Sequence, residues 1–169
     1  MVAEVARRPT KASYGHERPR IAPPVPARSG AKDFGTFSAD IGWNLRPWQD
    51  TAARYLTAEA PDGRWLYREV AIIVARQNGK TTILVPLIVH RLLTGQRIMH
   101  TAQNRELPRE VFGMVADIMQ DHFSSELRSR PRFANGQEEI RLKGGGHYRI
   151  VAPTRGGARG PSNDLIFID

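Results

Sequence analysis

The chain of 169 residues contains no cysteine. This absence excludes a disulfide framework and a cysteine-ligated zinc site, and it suits a reducing, cytosolic compartment. No apolar run approaches the roughly 18 residues that a membrane-spanning helix needs. The first residues also lack the apolar core of a signal peptide. We therefore expect one domain of ordinary size, able to bury a substantial core without disulfides.

Several kinds of functional site are missing from the pattern as well. The five histidines are scattered at positions 16, 90, 100, 122 and 147 without metal-ligand spacing, so we interpret them as structural or surface residues. No Ser-His-Asp arrangement can be argued. No helix-turn-helix, zinc finger or aromatic RNA-reading motif is visible either.

The charge of the chain is unevenly distributed. A formal net charge of +8 indicates a polyanionic partner or simply a basic tail. Residues 1–38 hold seven Lys or Arg against three acids, residues 127–169 hold eight against four, and residues 101–126 hold two against five. Basic charge therefore lies at the two ends, and residues 105–123 predict a helix with an acidic, solvated face. Attraction of phosphates through the two ends would be unspecific.

The chain divides into a tail and a domain. Residues 1–38 contain five prolines and few large apolar side chains, which predicts a disordered basic tail. Ordered structure should begin near Asp40, so the domain spans residues 39–169. Two β-like runs at 139–142 and 147–151, separated by three glycines, predict an antiparallel hairpin or an edge addition to the core sheet.

The most informative stretch runs from Val74 to Thr82 (VARQNGKTT). The apolar, β-branched run at 69–74 before it is typical of a buried parallel strand, and residues 81–93 after it predict a helix. Strand, Gly-Lys-Thr turn and helix N-terminus are the context of a phosphate-binding loop. Lys80 would reach the β- and γ-phosphates of a nucleotide, and the Thr81 hydroxyl would bind Mg²⁺.

This loop departs from the usual pattern in two places. Val74 stands where the first glycine is expected, and Pro86 lies inside the predicted helix, where a kink is expected. The alternative interpretation is a strand-turn-helix with an incidental Gly-Lys-Thr.

The last segment supplies a second signal. Four apolar residues at 165–168 predict a buried strand, and Asp169 follows at its carboxyl end. In open α/β sheets, ligands bind in the crevice at that end of the strands. Asp169 would therefore lie beside the loop and hold Mg²⁺ or its water shell. The alternative is a solvated strand end.

Together these residues resemble the ATPase domain of the large subunit of tailed-bacteriophage terminases, the motor that packages DNA into procapsids. Four motifs in the family's order carry the resemblance: the segment 76–81 as a deviant Walker A, 45–49 (LRPWQ) as an adenine-binding motif, 101–105 (TAQNR) after the second core strand, and Asp169 as Walker B. The resemblance covers about residues 40–169. It implies an α/β three-layer P-loop NTPase fold of the ASCE/RecA-like type, with a mostly parallel sheet.

The resemblance assigns roles within the nucleotide site. Gln49 would read adenine, since an amide pairs bidentately with adenine N6 and N7, although the Pro-Trp-Gln segment can also simply open a helix. Arg76 would add charge against the γ-phosphate, unless it is a surface arginine on a turn. The residues expected to bind ATP are Gln49, Gln77, Asn78, Gly79, Lys80, Thr81 and Thr82.

A basic loop at 153–162 precedes the last strand. In the terminase family, an arginine ahead of Walker B is a candidate finger that stabilises transition-state charge from a neighbouring subunit, and Arg159 fits that placement. Arg155 is the alternative finger. The loop could instead be solvated or contact DNA phosphates.

The resemblance also implies what lies around this domain. The family places a water-orienting Glu after the Walker B Asp, then a coupling motif and a nuclease domain, whereas the sequence ends at Asp169. We therefore expect a partial ATPase domain that binds ATP and Mg²⁺ but hydrolyses ATP poorly. The implied partners are double-stranded DNA, the portal protein, the terminase small subunit and further copies in a ring on the procapsid, in the host-cell cytoplasm and without a membrane.

Two other functions remain open. One is another P-loop translocase of the helicase kind, which would need a second RecA-like lobe. The other is a non-enzymatic nucleic-acid-binding or assembly module in which the Gly-Lys-Thr is incidental.

Overall fold

The computed structural model of the chain describes residues 19–75, 77–104, 106–134, 136–152 and 162–168. Its helices and strands, numbered here in chain order, are α1 (Ala31–Asp40), α2 (Pro47–Leu56), α3 (Lys80–Leu93), β1 (Arg97–Thr101), α4 (Glu106–His122), β2 (Glu139–Arg141), β3 (His147–Ile150) and β4 (Leu165–Ile168). A short 3-10 helix, Ser124–Glu126, follows α4.

The strands form one four-stranded sheet in the order β2-β3-β1-β4. Strand β1 pairs in parallel with both β3 and β4, while β2 and β3 form the predicted antiparallel hairpin. Asp164 fixes the start of β4, because its carboxylate accepts a hydrogen bond of 2.8 Å from the backbone N–H of Arg97. The expectation of an α/β fold with a mostly parallel sheet is confirmed.

Helices α3 and α4 pack against each other and cover one face of this sheet. Because side chains alternate along a strand, Ile98, Tyr148 and Phe167 point to this covered face, where all three are buried. Phe112 of α4 lies on Tyr148, with ring centroids 5.6 Å apart. The alternate positions of β4 are open, and Ile168 is 83% exposed.

Helix α4 matches the amphipathic helix predicted at 105–123. Val111, Val115 and Ile118 are buried against the sheet and α3, as their spacing predicts. Helix α3 likewise matches the prediction at 81–93 and begins one residue earlier, at Lys80. Among the helices that the structure describes, none is both long and apolar enough to cross a bilayer.

The predicted start of ordered structure near Asp40 is wrong. Residues 31–38 belong to α1, and the Phe34 side chain is completely buried. Phe34 and Phe37 both contact the His90 ring of α3 edge-on, at centroid distances of 5.8 and 5.2 Å. The prediction is based on the proline-rich, basic composition of residues 1–38 and gives no weight to these two aromatic side chains. Their spacing of three residues places them on one face of a helix. The folded unit therefore begins before residue 39.

The prediction of a buried parallel strand at 69–74 is also wrong. The segment has no regular secondary structure, and Ile73 is 94% exposed. A strand needs a neighbour for its backbone N–H and C=O groups. None of the described strands pairs with this segment.

Candidate phosphate-binding loop

The segment 77–82, called the phosphate loop below, turns sharply into α3. Gly79 is the N-cap of the helix and has φ of 80°, in the left-handed region. Gln77 also has a positive φ, 62°, which non-glycine residues seldom adopt. Backbone strain of this kind persists where surrounding contacts determine the conformation, and it is frequent at ligand-binding sites.

The predicted residues Lys80 and Thr81 occupy the first two positions of α3. The first backbone N–H groups of a helix have no partner within it, and together with the helix dipole they favour an anion. A phosphate at this point would meet these donors and the Lys80 ammonium. Of the predicted strand, turn and helix, the structure has the turn at Gly79 and the helix N-terminus at Lys80, while the segment before the turn is not a strand.

Gln49 joins the phosphate loop through its side-chain amide. It is only 2% exposed, although it lies at the start of α2. Its Nε2 donates to the Gly79 carbonyl at 2.8 Å and to Thr82 Oγ1 at 2.9 Å. Its Oε1 accepts from the Arg46 backbone N–H at 2.8 Å, which is one half of a capping box. The donor and the acceptor that adenine would need are therefore both bonded within the protein.

Two further contacts, absent from the sequence predictions, connect the segment just before α2 to the same loop. Arg46 donates from Nη1 to the Asn78 carbonyl at 3.3 Å. Trp43 donates from Nε1 to the Thr82 carbonyl at 2.7 Å. Thr82 closes the arrangement by donating its hydroxyl to the Gly79 carbonyl at 2.6 Å.

Pro86 is the sequence signal that could have revealed the Trp43 contact. In an α-helix, the carbonyl of residue i accepts from the N–H of residue i+4. Pro86 has no N–H, so the Thr82 carbonyl loses its helical partner. The Trp43 indole takes that place.

The segment 101–105 has a structural role at its described positions. Strand β1 ends at Thr101, and the Asn104 side-chain oxygen accepts from the Glu106 N–H at the start of α4, at 3.1 Å. The Asn104 amide also donates to the Glu106 carboxylate at 3.1 Å. These bonds fix the turn from β1 into α4.

Four predicted site residues, Arg76, Arg155, Arg159 and Asp169, lie outside the described residues. The roles given to them stay predictions. The structure describes the strand that leads to Asp169: β4 runs parallel to β1, with Ile168 opposite Thr101. Parallel strands end at the same edge of a sheet.

The described part of the chain contains no cluster of three metal-ligating side chains. Mg²⁺ does not require one, since it usually keeps several waters and binds through one or two protein oxygens and substrate phosphates. The Thr81 hydroxyl at the first turn of α3 fits such a ligand set.

A polar cavity of about 500 Å³ lies at the β2–β3 edge, lined mainly by Arg132, Arg141, Arg149, His147 and the neighbouring glutamates. The Glu139 carboxylate binds both Arg141 and His147 there, and the Arg141 hydrogen bond lowers its pKa. Burial lowers the pKa of His147. No residue of the phosphate loop lines this cavity.

Comparison with family models, curated proteins and solved structures finds no match to this chain. The terminase resemblance therefore depends on the four motifs alone.

Proposed function

We propose that the phosphate loop binds the triphosphate of ATP together with Mg²⁺. The observation that carries the proposal is the left-handed Gly79 that opens α3 with Lys80 as its first residue. This places the Lys80 cation and the first backbone N–H groups of the helix, which have no partner within the helix itself, at the positive end of a 14-residue helix.

Each loop residue has a defined task in this proposal. The loop N–H groups orient the phosphates, and the Lys80 ammonium neutralises charge on the β- and γ-phosphates. The Thr81 hydroxyl holds Mg²⁺, whose charge offsets that of the phosphate oxygens. Arg76, Arg159 and Asp169 keep their predicted roles as further cations and as a metal ligand.

We further propose that the loop serves a P-loop ATPase of the three-layer kind that translocates double-stranded DNA, as in phage terminases. The order of the four motifs and the parallel pairing of the strand before Asp169 with β1 support this. The portal protein, the terminase small subunit and a ring of copies are the partners that the same proposal implies.

Nucleotide binding is tested by thermal unfolding of the whole chain with and without ATP and Mg²⁺. A ligand that binds the folded state stabilises it by about 2.7 kcal/mol at 100 times its Kd. We expect ATP to raise the melting temperature and Lys80→Ala to abolish that rise, because the substitution removes the cation from the loop.

Lys32→Ala is the matched control, since Lys32 is an exposed lysine on α1. It should retain the full ATP-dependent rise. Equal rises for the native chain and Lys80→Ala would refute the loop as the phosphate site, and the absence of any rise would refute nucleotide binding.

A further inference from the structure

Three side chains in the first turn of α2 and the segment just before it form hydrogen bonds to the backbone of the phosphate loop. We call Trp43, Arg46 and Gln49 the α2 bracket. Its members bind the carbonyls of Asn78, Gly79 and Thr82, across sequence separations of 30 to 39 residues. We propose that the α2 bracket positions the phosphate-binding N–H groups, and that Gln49 is a positioning residue rather than the reader of adenine. This inference rests on the proposed phosphate loop.

Peptide geometry explains how bonds to carbonyls can position donors. A trans peptide is planar, so the C=O of one residue and the N–H of the next point in opposite directions. Arg46 holds the Asn78 carbonyl and thereby turns the Gly79 N–H away from α2. Gln49 holds the Gly79 carbonyl and turns the Lys80 N–H away in the same manner.

The support is close-packed around Gly79. A Cβ at this position would lie 2.8 Å from Thr82 Oγ1 and 3.3 Å from Gln49 Nε2. Both protons of the Gln49 amide are used, and its oxygen is bonded to the Arg46 N–H. Pairing with adenine would break these bonds in a side chain that is 2% exposed.

Pro86 makes one of the contacts of the α2 bracket possible. By removing the N–H that would bind the Thr82 carbonyl, it leaves this carbonyl for Trp43. The proline in the second turn of α3 thus leaves the Thr82 carbonyl for a bond to the segment between α1 and α2.

The decisive experiment compares ligands that share phosphates and differ in the base. Gln49→Met keeps the side-chain length and removes the amide. Binding of ATP, GTP and inorganic tripolyphosphate, each with Mg²⁺, is measured by titration calorimetry on the whole chain. We expect all three Kd values to rise by the same factor, roughly tenfold for the loss of one or two neutral hydrogen bonds. A loss confined to ATP would overturn the inference and assign Gln49 to the base.

The chemical shifts of backbone amides in the ligand-free protein give a second test, because a change in overall stability alone does not alter them. Gln49→Met should shift the ¹⁵N–¹H signals of Gly79 and Lys80, because their peptide planes lose a fixed carbonyl. Gln120→Met is the matched control, since Gln120 is exposed on α4, and it should shift neither signal. Unchanged Gly79 and Lys80 signals in Gln49→Met would overturn the inference.

Two more substitutions protect the test against a variant that fails to fold. Trp43→Phe keeps the ring and removes the donor, and it should weaken all three ligands together. Thr82→Val should do the same, while Thr82→Ser, which keeps the hydroxyl, should restore binding. Base-selective losses in these variants would contradict the proposal.

The failure of the proposed function is distinguishable from the failure of this inference. If the native chain binds none of the three ligands, the phosphate-binding function is refuted. The ligand-free signals of Gly79 and Lys80 then still decide whether the α2 bracket fixes the loop.

Discussion

Two residues of the phosphate loop, Gln77 and Gly79, have a positive φ, and only one of them is a glycine. Gly79 adopts its left-handed conformation without steric cost, whereas Gln77 adopts a similar φ at a cost of roughly 1–2 kcal/mol for a residue with a Cβ. Arg46 and Gln49 form hydrogen bonds to the carbonyls of the next two residues, Asn78 and Gly79. The segment proposed to bind phosphate therefore contains both a strained residue, Gln77, and two carbonyls that are held by side chains from outside the loop.

We expect His90 to make the free energy of unfolding depend on pH. Its ring is half-buried between Phe34 and Phe37, and burial lowers its pKa, with Arg91 adding to the effect and Asp33 opposing it. A folded-state pKa below the unfolded value means that the unfolded chain takes up the proton first as the pH falls. This contribution to stability is therefore complete above about pH 6.5 and is lost as the pH drops below it.

We expect the urea midpoint of the native chain to fall between pH 7.5 and pH 5.5, and His90→Leu to flatten part of that fall. His147, whose pKa burial also lowers, should contribute to the part of the fall that remains. Gln120→Leu, at an exposed position of α4 without a titratable group, serves as control and should leave the slope unchanged. An equal slope in His90→Leu and the native chain would contradict this account.

Helix α1 shows what a composition-based prediction misses. Residues 31–38 lie in a proline-rich, basic region by composition, yet Phe34 is fully buried. Phe34→Ala should lower the free energy of unfolding by about 3–5 kcal/mol, because it deletes a buried aromatic side chain and leaves a cavity. Equilibrium unfolding in urea measures the change.

Ile21→Ala is the matched control from the same region, since Ile21 is 95% exposed. Its effect should stay within about 0.5 kcal/mol. A similarly small effect of Phe34→Ala would restore the prediction of a tail that extends to residue 38.

Local patterns predict the elements that are stabilised within their own segment. The period of apolar residues gives α3 and α4, and the three glycines give the β2–β3 hairpin. Apart from the Pro86 signal near Thr82, the α2 bracket depends on contacts between residues at least 30 positions apart, which a single sequence does not reveal. The sequence predicts Gln49 as a site residue, but it does not indicate which residues the Gln49 side chain contacts.

The topology of the sheet bears on why the predicted strand at 69–74 is not formed. Helices α3 and α4 cover the same face, and β1 leads through α4 toward β3. Connections of this kind are right-handed, so a strand feeding α3 and then β1 would lie on the β4 side of β1. Strand β4 already occupies the place beside β1. The segment could therefore join the sheet only at the outer edge of β4, where no described strand pairs.

The electrostatics of the whole molecule bear on the proposed partner. The net charge of +8 is concentrated toward the two ends of the chain, while α4 carries acids on its outer face. In a local patch, each cation that contacts DNA releases a counterion, whereas net charge alone acts diffusely over the surface. Salt dependence distinguishes these two cases.

Three exposed arginines at 128, 130 and 132 provide the test at the C-terminal side of α4. Replacing all three with Gln should lower the slope of log Kd against log salt for double-stranded DNA by up to about 2.7, at about 0.9 per phosphate contact. Replacing the exposed arginines at 54, 64 and 68 removes the same charge and should change the slope much less, because they are spread over 15 residues, whereas those at 128, 130 and 132 lie within five. Both slopes are measured by fluorescence anisotropy between 50 and 200 mM salt. Equal reductions in the two variants would mean that net charge alone attracts DNA, and an absence of binding at 50 mM salt would remove DNA from the proposed partners.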